Sequence, residues 1–82
     1  MEKNELLERV TMNPDIMVGK PVIRGTRLTV QYIVGLLASG MTEDEIVSEY
    51  DGLTHDDIQA CLLFAAEALG DLAFMPLASE VV

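Results

Sequence analysis

The chain has 82 residues, which allows one small domain whose buried surface is too limited to make an isolated copy very stable. Half of the residues are apolar, an excess that favours association with a second copy or another protein. The single cysteine excludes an intramolecular disulfide and agrees with a cytoplasmic location, and the polar first ten residues predict no signal peptide. The longest apolar run, residues 60–66, is too short to cross a membrane.

The charge is divided unevenly along the chain. Residues 1–27 hold all five cations and four anions, whereas residues 28–82 hold ten anions and neither lysine nor arginine. The net charge of −9 is therefore +1 in the first part and −10 in the second. An acidic surface repels nucleic acid and attracts basic proteins, while a local basic loop can contact phosphate, so the two parts are predicted to serve different partners.

The N-terminal part is predicted to contain a short β ribbon. Residues 1–8 are compatible with a helical turn or with a frayed end. Two β-type runs follow, residues 9–12 and residues 21–24, and Asn13-Pro14-Asp15 marks a turn after the first. We expect these runs to pair, within one chain or between two, and to lie on the helices, because an isolated two-stranded ribbon is marginal in water.

A first helix is predicted after the ribbon. Its N-cap is Thr26 or Thr29, and Ser39-Gly40 ends it. The internal Gly35 suggests that another backbone segment approaches closely there. The apolar residues at helical spacing are Val30, Ile33, Val34 and Leu37.

Two further helices begin with the same design. Thr42 and Glu45 form a capping box at the start of the second, and Thr54 with Asp57 repeats it at the start of the third. The third helix is expected to run to Gly70 and is apolar around almost its whole circumference, which predicts burial on more than one side. Cys61 lies on its apolar stripe and is predicted to be a small core residue.

These elements predict a mainly α fold, with a three-helix, helix-turn-helix-like (homeodomain-like) core and a short N-terminal β ribbon. We expect residues 1–70 to form one domain, with the ribbon and basic loop in 9–27 and the helices in 28–70. The apolar tail, residues 71–82, is predicted to dock on a partner or on a second copy in a homodimer. The predicted partner-binding residues are Phe64, Leu72, Phe74, Met75 and Leu77.

A basic motif is the main candidate binding site. Lys20, Arg24 and Arg27 surround a glycine that allows a tight turn, and Thr26 lies between the arginines. Two interpretations stay open: these residues contact nucleic acid or another anion, or the arginines pair with the chain's own carboxylates. The motif is not a phosphate-binding P-loop, because Pro21 follows Lys20.

Neither catalysis nor metal binding is predicted. The acidic residues cluster in the first turns of two helices, where anions complement the helix dipole. His55 is the only histidine, so no cofactor, metal site or catalytic pair is expected. The two carboxylates Asp56 and Asp57 would face phosphate if the third helix entered DNA, so DNA contact is expected from the basic loop instead.

The residues resemble a known family. The string Gly-Lys-Pro-Val-Ile-Arg-Gly-Thr-Arg at residues 19–27, the preceding Asn-Pro-Asp at 13–15, and Leu-Thr-His-Asp-Asp-Ile at 53–58 are similar to the domain-of-unknown-function family 433. The resemblance implies a homeodomain-like three-helix fold and an antitoxin role beside a PIN-like nuclease toxin. The chain departs from the family in its apolar tail after Leu69 and in having no basic residue after Arg27.

Overall fold

The structure is a computed structural model that describes residues 2–70. Helix α1 spans Lys3–Leu7, strand β1 Val10–Thr11, strand β2 Val22–Ile23, helix α2 Val30–Ala38, helix α3 Glu43–Glu49 and helix α4 His55–Gly70. This confirms the predicted mainly α class, with a small antiparallel β ribbon near the N-terminus. The predicted partner-binding residues Leu72, Phe74, Met75 and Leu77 lie outside the described residues.

The β ribbon pairs within one chain. Val10 lies opposite Ile23 and Thr11 opposite Val22, and the Arg24 amide donates to the Arg9 carbonyl at 2.8 Å. After β1, the side chain of Asn13 accepts a hydrogen bond from the Asp15 amide at 2.8 Å, which forms the predicted turn. Both residues of β2 are buried, so the ribbon lies on the helices as expected.

The starts of the three long helices are those that the capping residues predict. Thr29, and not Thr26, is the N-cap of α2, since its hydroxyl accepts from the Tyr32 amide at 3.0 Å. At α3, the Glu45 amide donates to the Thr42 hydroxyl and the Thr42 amide to the Glu45 carboxylate, which completes the capping box. These bonds satisfy backbone groups that a helix end leaves without partners.

The core lies where the ribbon and helices α2, α3 and α4 meet. Each element contributes apolar side chains to it. At the surface, an edge-to-face contact also links α2 to the end of α3, with the ring centroids of Tyr32 and Tyr50 6.0 Å apart. Ile33, Ile46 and Ile58 are each fully buried. The core cluster consists of Ile23, Val30, Ile33, Ile46, Leu53, Ile58 and Cys61.

Two local features add to the sequence-based expectations. Within residues 2–70 no segment approaches Gly35 closely, because a Cβ atom built there meets nothing within 4 Å in this part of the chain. The N-terminal segment, compatible by sequence with a helical turn or a frayed end, forms α1 and packs along α4. None of the helices in the described part of the chain is both long and apolar enough to span a membrane.

Candidate binding surfaces

The basic motif forms a tight turn between β2 and α2. The Thr26 amide donates to the Ile23 carbonyl at 3.0 Å, and Gly25 has a φ of 80°, the geometry of a type II turn, which places Arg24 and Gly25 at its two central positions. The Ile23 amide donates to the Leu28 carbonyl at 2.9 Å and closes the loop. The chain therefore needs a glycine at position 25, and the turn carries an arginine on each side of the Gly25-Thr26 pair.

Thr26 stabilises this turn with its own side chain. Its hydroxyl donates to the Ile23 carbonyl at 2.8 Å and accepts from the Leu28 amide at 3.0 Å. Both bonds are local, so the hydroxyl is already engaged in the loop. Among the four residues predicted to contact nucleic acid, Thr26 therefore acts first as a structural residue, while the three cations remain exposed.

The three cations of the turn and its flank form no ion pair within residues 2–70. Lys20, Arg24 and Arg27 are all exposed. The ion pairs of lysine and arginine in the described part of the chain are made by Arg9 and Lys3, which contact carboxylates of α4. Arg9 is therefore the arginine that pairs with the chain's own carboxylates. The arginines of the turn face solvent, as the interpretation of the turn as a site for an external anion requires.

Two of the exposed cations line different concavities. Lys20 lines an apolar groove between α2 and α4, whereas Arg24 lines a polar recess with Glu8, Arg9 and Asp57. Lys20 and Arg24 are therefore available to different contacts on the surface around the turn.

The N-terminal turn of α4 is held together by Asp57, which is only 7% exposed. One carboxylate oxygen accepts from the Thr54 amide at 3.0 Å, and the other accepts from Arg9 Nη1 at 3.1 Å. Asp56 adds a longer contact to Arg9 at 3.7 Å. Asp57 thus completes the cap of α4 and anchors β1 to it, a link across 48 residues that local sequence patterns do not reveal.

The remaining polar residues at the start of α4 contact α3. The ring nitrogens of His55 lie 3.3 Å from a carboxylate oxygen of Glu43 and 3.1 Å from one of Asp44. The Gln59 amide donates to the second oxygen of Glu43 at 3.2 Å. The end of the helix that would meet base edges in a helix-turn-helix protein is therefore acidic and engaged with its own chain, a geometry that does not suit contact with DNA.

An acidic cleft lies on the outer side of α3. It is lined by Met41, Asp44, Glu45, Ser48 and Glu49, with three carboxylates and no cation among them. Asp44 and Glu45 lie in the first turn of α3, where negative charge stabilises the helix by complementing its dipole. Together they nevertheless present a negative surface well suited to a basic protein.

An apolar groove runs between α2 and α4 and has a volume of about 380 Å³. We call it the α2–α4 groove. Phe64, the predicted partner-binding residue that the structure describes, lies in it and is half-buried against the core. The other lining residues are Lys20, Pro21, Thr29, Val30, Gln31, Val34, Ala65, Ala68 and Leu69.

The titratable groups of the described residues do not converge into a metal cluster, since no group of three or more His, Cys, Asp or Glu side chains in this part of the chain is arranged to hold an ion. Cys61 is fully buried, which confirms its prediction as a core residue. Burial, with a smaller contribution from the nearby Asp57 carboxylate, raises the pKa of the Cys61 thiol to about 12. The thiol is therefore neutral and poorly reactive at physiological pH.

The fold and these surfaces define a small helical domain of helix-turn-helix-like architecture with a β ribbon and a basic turn before it. The chain belongs to the family described as a protein of unknown function (DUF433), whose sequence model matches residues 10–65, more than half of the chain. The match includes the ribbon, the basic turn and all of α2 and α3, so these features lie within the family's own boundaries.

Two relatives illustrate the family. The "uncharacterized protein y4eO" of Sinorhizobium fredii is 33% identical over 58 residues, which cover 71% of this chain but 26% of that protein. A crystal structure of a DUF433 member from Anabaena variabilis superposes with a TM-score of 0.73 at 25% identity, covering 82% of this chain and 66% of that one. The chain thus spans about a quarter of the first relative and about two thirds of the second.

Proposed function

We propose that the protein is a non-enzymatic regulatory module, the antitoxin of a cytoplasmic toxin–antitoxin pair, which neutralises a PIN-like nuclease and contacts operator DNA through its basic turn. The observation that carries the proposal is the presence of two exposed surfaces of opposite charge. Lys20, Arg24 and Arg27 form no ion pair within residues 2–70, while α3 presents a carboxylate-lined cleft. Two surfaces of opposite sign suit two partners of opposite sign.

The acidic cleft of α3 supports the contact with a nuclease. An enzyme that acts on RNA needs a basic surface to bind its substrate, and an acidic protein can compete for that surface. Phe64 and the apolar residues after α4 supply contact area in addition to this charge: Leu72, Phe74, Met75 and Leu77. Charge then steers the encounter, and the apolar residues provide most of the affinity.

The basic turn supports the contact with DNA. The guanidinium groups of Arg24 and Arg27 have the planar fork that suits phosphate oxygens, and the type II turn fixes the backbone positions from which they project. The acidic N-terminus of α4 does not suit the major groove. DNA would therefore be met by the ribbon side of the domain, without the third helix of the core acting as a recognition helix.

A non-enzymatic role is supported by how the acidic side chains are used. Asp57 and Glu45 cap helices, and His55 bridges two carboxylates of α3. Each of these groups has a structural partner within the domain, so none is poised as a general base beside a nucleophile.

The nuclease partner is tested by co-expression with the product of the adjacent gene. We expect a stable complex, relief of that product's toxicity, and loss of both when Glu49→Lys reverses the charge of the α3 cleft. Asp15→Lys is the matched control, because Asp15 is exposed, lies outside the cleft and undergoes the same change in charge. A neighbouring gene product that is neither toxic nor bound contradicts the antitoxin proposal.

DNA contact is tested by titrating the upstream region of the gene with the purified protein at several salt concentrations. Arg24→Ala and Arg27→Ala should each remove one phosphate interaction and so reduce the slope of log K against log salt by about 0.9. Lys3→Ala is the control, since Lys3 is paired with Glu67 at 3.2 Å on the α1–α4 side.

A salt-independent or absent interaction with DNA would favour the second candidate function, a dimerisation or protein-interaction module without a nucleic-acid role. The specific observation in its favour is the acidic, internally engaged start of α4, which removes the usual DNA-reading element of a helix-turn-helix. In that case the exposed arginines of the turn would contact an anionic surface of a protein partner or of a second copy.

A further inference from the structure

The second half of α4 is apolar but largely uncovered within the described residues. The first half buries Ile58, Ala60 and Cys61, whereas Leu62 and Leu69 are 37% and 64% exposed. Leu69 lines the α2–α4 groove, and Leu62 lies seven residues before it, two turns away on the same side of the helix. Single exposed apolar side chains are ordinary, but seven of the ten residues that line this groove are apolar, and residues 2–70 leave the groove open.

The chain itself continues with a segment of suitable composition. The six residues after Asp71 are Leu-Ala-Phe-Met-Pro-Leu, and Leu69 and Ala68, which line the groove, lie within the last helical turn before them. Pro76 disfavours a helix through this segment. The apolar sequence therefore starts within a few residues of the end of the groove.

The segment is long enough to fill the groove from its own chain. Residues 64–69 of α4 span roughly 7.5 Å at 1.5 Å per residue. Residues 72–77 reach about 20 Å when extended at about 3.3 Å per residue.

Charge favours the same arrangement. Lys20 is the one charged residue among the described residues that line the groove, and it lies beside Pro21. The tail carries Asp71 and Glu80 and no cation. The tail and the single charged residue of the groove, a lysine that makes no ion pair within residues 2–70, are thus opposite in sign.

We propose that in the free protein residues 72–77 pack into the α2–α4 groove of their own chain. Attachment to α4 gives the segment a local concentration on the order of mM, far above that of a second copy at ordinary protein concentration. The inference does not depend on the antitoxin role. A partner that binds residues 72–77 must first displace them from the groove. Its apparent Kd is then the intrinsic Kd divided by the fraction of chains in which the segment is released.

The test uses the full chain with Phe74→Trp, because the sequence has no tryptophan and the indole is then the single reporter. We expect a blue-shifted emission maximum and weak acrylamide quenching, independent of protein concentration. In the same chain, Ala68→Glu places a charge in the groove, and it should shift the emission to longer wavelength and raise the quenching constant several-fold. Ala68 is exposed, so this change leaves the core intact.

Ala66→Glu is the matched control, since Ala66 is exposed on the same helix and does not line the groove. It should leave the indole protected, and Leu69→Asp, a second groove variant, should release it. The proposal is overturned if the indole is exposed in the chain that carries Phe74→Trp alone. So does protection that appears only at concentrations where sedimentation detects a dimer, or an equal response to Ala66→Glu and Ala68→Glu.

Discussion

The basic turn at residues 24–27 and the N-terminal turn of α4 are both rich in charge, but the structure uses them in opposite ways. At α4, Asp57 is buried and satisfied by the Thr54 amide and by Arg9. At the turn, Arg24 and Arg27 are exposed and make no ion pair within residues 2–70. Charge in a sequence therefore does not mark a binding site by itself; what matters is whether the fold supplies the partner.

Among the substitutions at neutral pH, the largest effect is expected at Asp57. Replacing it with alanine removes the side-chain cap of α4 and leaves Arg9 without its closest anion, so we expect a loss of about 3 kcal/mol in the free energy of unfolding. Asp57→Asn keeps an oxygen for the Thr54 amide and should lose about half as much. Urea unfolding followed by far-UV circular dichroism measures both, and a loss below about 0.5 kcal/mol for alanine would contradict the structural role.

The second prediction concerns Arg9, the partner of Asp57 in this ion pair. Arg9→Ala breaks a partly buried, charge-assisted hydrogen bond and should cost about 1–2 kcal/mol, discounted because the arginine side chain is 34% exposed. A double-mutant cycle with Asp57→Ala should give a coupling energy of about 1 kcal/mol. Additive losses would show that the two residues stabilise the domain independently, and the proposed link between β1 and α4 would be wrong.

The buried thiol of Cys61, also in α4, predicts how the free energy of unfolding depends on pH. Because its pKa is raised from 9.0 to about 12 in the folded state, the folded protein keeps a proton that the unfolded chain loses above pH 9. Stability contributed by the neutral thiol is thus complete below pH 9 and falls by about 1.4 kcal/mol per pH unit as the pH rises toward 12.

In Cys61→Ala, the fall in the free energy of unfolding between pH 9 and 12 should lack the contribution of the thiol. The comparison with the wild type over the same pH range cancels the titration of tyrosine and lysine residues, which both proteins share. Asp57→Asn should weaken the same component slightly, since the Asp57 charge contributes to the raised pKa of the thiol. Identical slopes with and without the thiol would rule out its burial in the neutral form.

Gly35 lies inside α2, and within residues 2–70 no other atom packs against the place where a side chain would project. A methyl group there meets nothing within 4 Å among residues 2–70, so Gly35→Ala should raise the free energy of unfolding by about 1 kcal/mol through helix propensity alone. For a domain of this size the corresponding increase in Tm is about 4–8 °C. A decrease in Tm would indicate that another chain approaches α2 at this point.

The smallest effect on stability is expected at the basic turn. Arg24→Ala and Arg27→Ala should change the free energy of unfolding by less than about 0.5 kcal/mol, since neither residue makes an ion pair within residues 2–70. Measured beside Arg9→Ala, with the same change in charge, these variants separate a structural arginine from arginines available to a partner. A loss equal to that of Arg9→Ala would remove the distinction between the two regions.

The local elements are readable from the sequence because their causes are local. Thr42 with Glu45 and Thr54 with Asp57 act within one helical turn, and the Asn13 turn closes over three residues. The helix starts, the ribbon and the core stripe follow from such short-range rules. The choice between Thr26 and Thr29 as the cap of α2 is not readable, because both hydroxyls have suitable positions and only the closed turn at Ile23 engages the first.

The helical class, the helix starts and the single basic segment of this acidic chain follow from local patterns of residues. Which charges are available to a partner depends on packing in three dimensions. Arg9 and Asp57 are 48 residues apart, and nothing in their neighbours along the chain selects that pairing over Arg24 or Arg27. Only the packing of the ribbon on α4 brings Arg9 to the buried carboxylate, and this leaves the arginines of the turn exposed, because an ion pair depends on distance in space and not on position in the sequence.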